Sequence, residues 1–264
     1  MNILITGSSK GIGRAIAEKF LDEGHKVFGL DIAEVSINHP AYTHFVTDIL
    51  DGPLPDMESG ENNGRDPDLS AYDIDMADNK PCNNKNIPPA DKEPDEEHTD
   101  VQRFAVPVID ILINNAGVQE SGRDIDINLK GTIRITEKYG IHPNIKSVLF
   151  IASSSASTGS EFPEYAASKG GVVAYMKNTA LRIAKYGATS NSLSPGGVVT
   201  DLNDHIIKDP ALWQAVLNET MLGKWAGADE IADWAYFLTV TNRSMTAQDI
   251  LVDNGEAAKF NFIW

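Results

Sequence analysis

Asn2-Ile3-Leu4-Ile5-Thr6-Gly7-Ser8-Ser9-Lys10-Gly11-Ile12-Gly13 is the stretch on which the fold turns. A short apolar run ends in a glycine-rich turn, and beyond it Ala15, Ile16, Ala17, Phe20 and Leu21 recur at helical spacing. The pattern predicts a strand, a tight turn and a helix. Gly24 ends that helix; His25 to Leu30 predicts a second strand closing on Asp31, and His44 to Val46 a third closing on Asp48. Further along, Val108 to Ile113, Ser147 to Ile151 and Thr189 to Leu193 predict strands, and Tyr165 to Tyr186 a long helix. Alternating strands and helices imply a parallel sheet covered by helices on both faces, with ligands at the carboxyl ends of the strands. No internal repeat is visible.

At 264 residues and 42% hydrophobic content, the chain suffices for a single domain over residues 1–264. Its start lacks a basic segment followed by a long apolar run, and no later run approaches the roughly 18 apolar residues of a membrane span. The expectation is a soluble, cytoplasmic protein. The lone cysteine, Cys82, excludes an internal disulfide framework. A formal charge of -16 opposes binding to nucleic acid or anionic membrane, which depends on clustered Lys and Arg. Residues 51–100 hold 15 Asp or Glu against four Lys or Arg, and seven of the 13 prolines, with little aliphatic periodicity. This composition predicts a long acidic surface loop inserted into the domain.

The three glycines of the opening turn have separable uses: Gly7 for a tight turn, Gly11 for close backbone approach to a pyrophosphate, Gly13 for close helix packing. The helix start then presents amide hydrogens and a positive dipole end to phosphates. Asp31 lies 18 residues beyond Gly13 at the end of the next strand, where a carboxylate accepts ribose hydroxyls and repels a 2′-phosphate. The arrangement predicts a Rossmann-type dinucleotide site that favours NAD. Lys10, beside the phosphate turn, is the one feature that favours NADP.

The second motif is Tyr165-Ala166-Ala167-Ser168-Lys169, whose four-residue step on a helix puts the phenol and the ammonium on one face. A tyrosine of pKa about 10 is a poor acid or base at neutral pH, but a nearby cation favours its phenolate. At an effective dielectric near 20, a unit charge about 4 Å away is worth roughly 4 kcal/mol, or about three pKa units.

Taken with Asn114-Asn115-Ala116-Gly117 and Pro195-Gly196-Gly197-Val198-Val199-Thr200, these motifs resemble short-chain dehydrogenases/reductases in order and approximate spacing from residue 1 to about 258. The resemblance implies a nicotinamide-dependent oxidoreductase acting on an alcohol or ketone. It implies that Tyr165 is the general acid/base and that Lys169 lowers its pKa while holding the nicotinamide ribose. Asn128, in Ile127-Asn128-Leu129-Lys130-Gly131, matches the family member that holds a water linking the lysine to solvent. Ile151-Ala152-Ser153-Ser154-Ser155 offers the serine that hydrogen-bonds the reacting oxygen; Ser153 fits the family pattern, and Ser154 remains the alternative because Ser153 stands only 12 residues before Tyr165. The same resemblance makes Gly7, Ser9, Lys10, Gly11, Ile12, Gly13 and Asp31 cofactor-binding, together with Tyr165 and Lys169. It adds Asp48 and Ile49 around the adenine, Asn115 and Ala116 along the cleft, and Val198 with Thr200 at the carboxamide and phosphate. It also implies a homodimer or homotetramer.

Two spacings depart from the family. The stretch from Asp48 to Asn114 is long, and that from Asn115 to Asn128 covers only 13 positions, which removes most of a substrate wall. Asp73 to Asp78 faintly resembles a calcium loop, but Ala77 takes a ligand position and the required glycine and closing Glu are absent. The six histidines show no metal-binding spacing. Leu202 to Trp225, with His205, Leu212, Trp213, Leu217 and Met221, predicts helices over the substrate cleft, and Phe260 to Trp264 is apolar enough to pack on the body or on a second subunit. Two other function classes compete: a lyase or dehalogenase-like enzyme that replaces the nucleotide site by an anion pocket, and a noncatalytic nucleotide-sensing protein. The intact glycine turn and Asp31 oppose the first, and the Tyr165–Lys169 pair opposes the second.

Overall fold

The computed structural model describes residues 1–58, 105–160 and 162–259. Its centre is a seven-stranded sheet. The strands are β1 (Asn2–Thr6), β2 (Lys26–Asp31), β3 (Tyr42–Val46), β4 (Ile111–Asn114), β5 (Ser147–Ile151), β6 (Thr189–Pro195) and β7 (Asp249–Val252). They lie in the order β7-β6-β5-β4-β1-β2-β3, and every pairing is parallel. The chain builds outward from β1 to one edge, returns, and builds to the other edge. The order therefore reverses between β1 and β4, which opens a crevice at their carboxyl ends, the place where such sheets hold ligands.

The strands carry near-continuous apolar runs because both faces are covered. On one face α1 (Gly11–Asp22) buries Ile16, Ala17, Phe20 and Leu21 at helical spacing, in one core with Ile231, Ala232 and Ala235 of a C-terminal helix. On the other, α2 (Thr132–Tyr139) and α3 (Pro163–Ile183) contribute Ile135, Tyr139, Val172, Met176 and Ile183. Full burial of each large side chain contributes about 1.5–3 kcal/mol. Pro163 starts α3 at a position where its missing N–H costs nothing. In chain order α4 (Pro210–Asn218) and α5 (Ala228–Tyr236) come between β6 and β7, and α5 is the helix that shares the α1 core.

Three readings of the sequence need correction. β4 begins at Ile111 rather than Val108, because the Val108 carbonyl accepts the Asn2 side-chain amide and Asp110 bonds the Asn2 backbone, which bends the chain before the ladder starts. The long helix begins two residues before Tyr165 and passes into a tighter turn at Ala184–Tyr186, closed by Gly187 in the left-handed region. Asp56–Met57, read as part of the acidic loop, forms a short strand paired with Ala105–Val106; beside it the Tyr139 hydroxyl donates to the Pro55 carbonyl at 2.5 Å, and Thr47 Oγ1 donates to the Pro53 carbonyl at 2.7 Å. The rest of that stretch, including Cys82 and Asp73 to Asp78, and the C-terminal Phe260 to Trp264 lie outside the described residues.

Candidate active site

The carboxyl ends of β1, β2 and β4 are tied into one rim. Thr6 Oγ1 accepts the backbone N–H groups of Asn115 and Ala116, each at 3.0 Å, and the Asn115 amide donates back to the Thr6 and Gly7 carbonyls, also at 3.0 Å. Asn115 thus holds the turn through the Gly7 carbonyl, and Ala116 meets β1 at the Thr6 hydroxyl. Gly7 has φ +69°, and a Cβ on Gly13 would stand 2.0 Å from the Gly7 carbonyl oxygen, so the turn closes against the helix only with glycine there. Asp31, 8% exposed, accepts the Ser9 N–H on one oxygen and the Ala33 N–H on the other, each at 2.9 Å. The Ser36 hydroxyl donates to the Ser9 carbonyl at 2.6 Å, which holds the turn from outside.

Two features show that this end fits a dinucleotide. The Ser9 hydroxyl is buried without a hydrogen-bond partner among the described residues. Lys10 stands at the N-cap of α1 with no side-chain cap, which leaves the first helical amides available to phosphate. Across from them, a Cβ on Gly11 would lie 3.6 Å from Thr200 Cγ2, so Thr200 faces the turn. Ile12 is partly buried against the core, and Val198 is buried there too, pairing with Ala226 through its backbone. Asp48 Oδ1 accepts the Leu50 N–H at 2.8 Å, and buried Ile49 packs against Gly131.

The chemical half of the site lies on β5, α3 and a π-helical stretch, Ile125–Gly131, that precedes α2. Asn128, 1% exposed, is held in that stretch by three bonds: its Oδ1 accepts the Val118 N–H at 2.7 Å, and its Nδ2 donates to the Val118 carbonyl at 2.8 Å and to Ser168 Oγ at 3.0 Å. Ser168 in turn donates to the Tyr165 carbonyl at 2.7 Å. Asn128 and the Tyr165 helix are therefore joined through Ser168, a residue the sequence reading did not single out. The Lys169 ammonium is 5.7 Å from the Tyr165 ring centre and donates to the Ile151 carbonyl at 3.0 Å. Burial pushes Lys169 down to about 8, against the opposing charge of Asp124.

Ser153 is buried at the end of β5; its hydroxyl lies 2.9 Å from that of Ser155 and accepts the Ser155 N–H at 3.2 Å. Ser154 instead opens a single helical turn, Ser155–Thr158, and its N–H goes to the Pro195 carbonyl. Beyond Pro195, Gly197 lies flush against the Trp225 indole, whose ring meets Trp213 of α4 edge-on at 5.3 Å. The helices expected between Leu202 and Trp225 form, and they leave Leu202, Met221 and Leu222 at 69%, 56% and 68% exposure. Asp124 is a further residue missed in the sequence; Ser121-Gly122-Arg123-Asp124 has the S-x-x-D spacing of a capping box, the signal that marks it.

The sequence profile of the family described as Enoyl-(Acyl carrier protein) reductase matches residues 99–256. A glucose 1-dehydrogenase from Gluconobacter oxydans is 27% identical, with 96% of this chain and 90% of that protein covered. A 3-oxoacyl-(acyl-carrier-protein) reductase from Buchnera aphidicola is 28% identical, with 95% and 94% covered. In structure, the chain superimposes on the ligand-free aldohexose dehydrogenase of Thermoplasma acidophilum with a TM-score of 0.71 at 22% identity, covering 100% of this chain and 96% of the other.

Proposed function

This chain belongs to the short-chain dehydrogenase/reductase family, and we propose that it is an NAD-dependent oxidoreductase interconverting a secondary alcohol and a ketone. The observation that carries the reading is the buried Lys169, set beside Tyr165 on one helix and joined to Asn128 through Ser168. A nicotinamide dinucleotide, when bound, supplies the hydride acceptor or donor. Gly7, Ser9, Lys10, Gly11, Ile12 and Gly13 would hold its phosphates, Asp31 the adenosine ribose, Asp48 and Ile49 the adenine, and Thr200 with the Val198 backbone the nicotinamide end.

The chain's own residues position the substrate and handle its proton. In oxidation, the Tyr165 phenolate takes the proton of the substrate hydroxyl; in reduction, the phenol returns it to the carbonyl oxygen. Ser153 donates a hydrogen bond to the same oxygen and orients it. Lys169, by its charge, favours the phenolate. Asn128, held by Val118 and Ser168, would help hold a water linking the lysine to solvent.

The preference for NAD rests on Asp31, whose carboxylate is fixed by two backbone N–H groups, and on exposed Glu34 nearby; both repel a 2′-phosphate. Exposed Trp234, Phe237 and Leu251 support a homodimer or homotetramer. The test is a panel of sugars, hydroxy acids and 3-oxoacyl thioesters assayed by NADH absorbance on the wild type and on Tyr165→Phe. Turnover in the wild type and none in the variant, with NADH binding retained, is the expected result. Equal turnover in both overturns the assignment of Tyr165.

A further inference from the structure

The short loop between Gly117 and Asp124 replaces most of a substrate wall, yet its inner side is tightly built. Asp124 is 1% exposed. Its Oδ2 accepts the Glu120 N–H at 3.0 Å; its Oδ1 accepts the Ser121 N–H at 3.0 Å and the Ser121 hydroxyl at 2.6 Å. These bonds hold two left-handed residues, Glu120 at φ +53° and Gly122 at φ +72°, the first of which is unfavourable for a side chain with Cβ. Four residues on, Asn128 clamps the other end of the loop at Val118. A Cβ on Gly117, where the loop begins, would stand 3.1 Å from Asn128 Oδ1 and 3.3 Å from Lys169 Nζ. The loop is therefore braced at both ends, and its first residue lies against the lysine.

Taking Tyr165 and Lys169 as the working pair, which rests on the reading above, we propose that Asp124 is a positioning residue for that pair. Its buried carboxylate braces the 117–124 loop beside Lys169 and serves as the counter-charge of the ammonium. A carboxylate in a dry site is costly unless its oxygens are satisfied and a cation faces it. Here burial works to raise the Asp124 pKa, but the bonds from Ser121 and Glu120, together with the Lys169 charge, hold it below the usual carboxylate value. Reciprocally, Asp124 is the charge that opposes the downward push of burial on Lys169. The other charged groups nearby are turned outward: Lys130 pairs with Asp126 at 2.6 Å, Arg123 reaches Asp51 at 3.6 Å, and Glu120 and Glu164 are exposed. Tyr165 faces the lysine from α3, and Asn128 is neutral.

The test reads Lys169 directly, without cofactor or substrate. In protein carrying 13Cε-labelled lysine, the Lys169 resonance is the one lost in Lys169→Met, and its pH titration is followed in the wild type, Asp124→Asn and Asp124→Glu. The expected midpoint in Asp124→Asn falls below that of the wild type by about one pH unit, while Asp124→Glu stays close to it. An unchanged midpoint in a folded Asp124→Asn overturns the proposal and leaves the residue a purely structural brace. Should Asp124→Asn not fold, the reciprocal measurement decides: the Asp124 carboxyl midpoint must rise in Lys169→Met, since coupling acts equally on both partners. No rise refutes the counter-charge role. NADH affinity, measured in the same samples, separates the two ideas, because failure of the dinucleotide reading leaves the lysine titration intact.

Discussion

The two ends of the cleft are built by different means. At the candidate cofactor end, Gly7, Thr6, Asn115, Asp31 and Ser9 are joined backbone to side chain, with the Ser9 hydroxyl left buried without a partner among the described residues. At the substrate end, the wall after Gly117 is short, and Leu202, Met221 and Leu222 present apolar surface to solvent. On the proposed reading, one end is a rigid receptor for a fixed ligand and the other a surface completed by whatever it binds. Substrate identity should therefore vary with a few exposed side chains, while cofactor binding depends on backbone geometry that few substitutions tolerate.

The comparison is tested most severely at the Tyr165–Lys169 pair between the two ends. Tyr165→Phe should lower kcat/KM by about 10²–10⁴-fold while leaving NADH affinity within a few-fold of wild type, measured by steady-state kinetics and fluorescence titration. An equal loss of NADH binding would mean that the phenol serves mainly to hold the cofactor. Next in size is Gly13→Ala. Its Cβ would lie 2.0 Å from the Gly7 carbonyl oxygen, so the variant should lose several kcal/mol of stability or its dinucleotide site, visible in thermal melts with and without NADH. An unaffected variant would show that the turn is far looser than described.

Lys169 supplies a smaller and signed effect. The unfolded chain keeps this lysine protonated to its ordinary value of 10.5, whereas the folded chain releases the proton near 8. Between those values the unfolded state binds more protons, so this group's contribution to stability rises with pH. Lys169→Met should therefore be more stable than wild type at pH 7, and the margin should shrink as pH rises from about 8 to 10.5; a constant margin would contradict the buried, charged lysine. Smallest is the exposed surface: Met221→Ala and Leu222→Ala should change stability by no more than about 0.5 kcal/mol and NADH affinity hardly at all, yet alter substrate KM several-fold. Unaltered KM would separate these side chains from the substrate.

Much of the cofactor end was legible because its determinants are local. A strand, a glycine turn and a helix follow one another within residues 2–22, and Asp31 closes the next strand, so spacing alone placed them. The substrate end resisted because its determinants are contacts between distant segments. Ser168, 40 residues beyond Asn128, links it to Tyr165, and Trp225 lies against Gly197, neither of which periodicity encodes. The edge strand β7 is only four residues, with alternating exposure, too short for its pattern to stand out. Asp124 carried a capping-box spacing, but only the fold shows its carboxylate buried and accepting from Glu120 and Ser121.

The most direct test of the account is calorimetric titration of NADH and NADPH, side by side, into the wild type and Asp31→Ala. Tighter binding of NADH to the wild type, with that preference eroded about tenfold or more in Asp31→Ala, is the predicted result. If neither nucleotide binds the wild type at millimolar concentration, the crevice between β1 and β4 is not a working dinucleotide site, and the oxidoreductase reading fails with it.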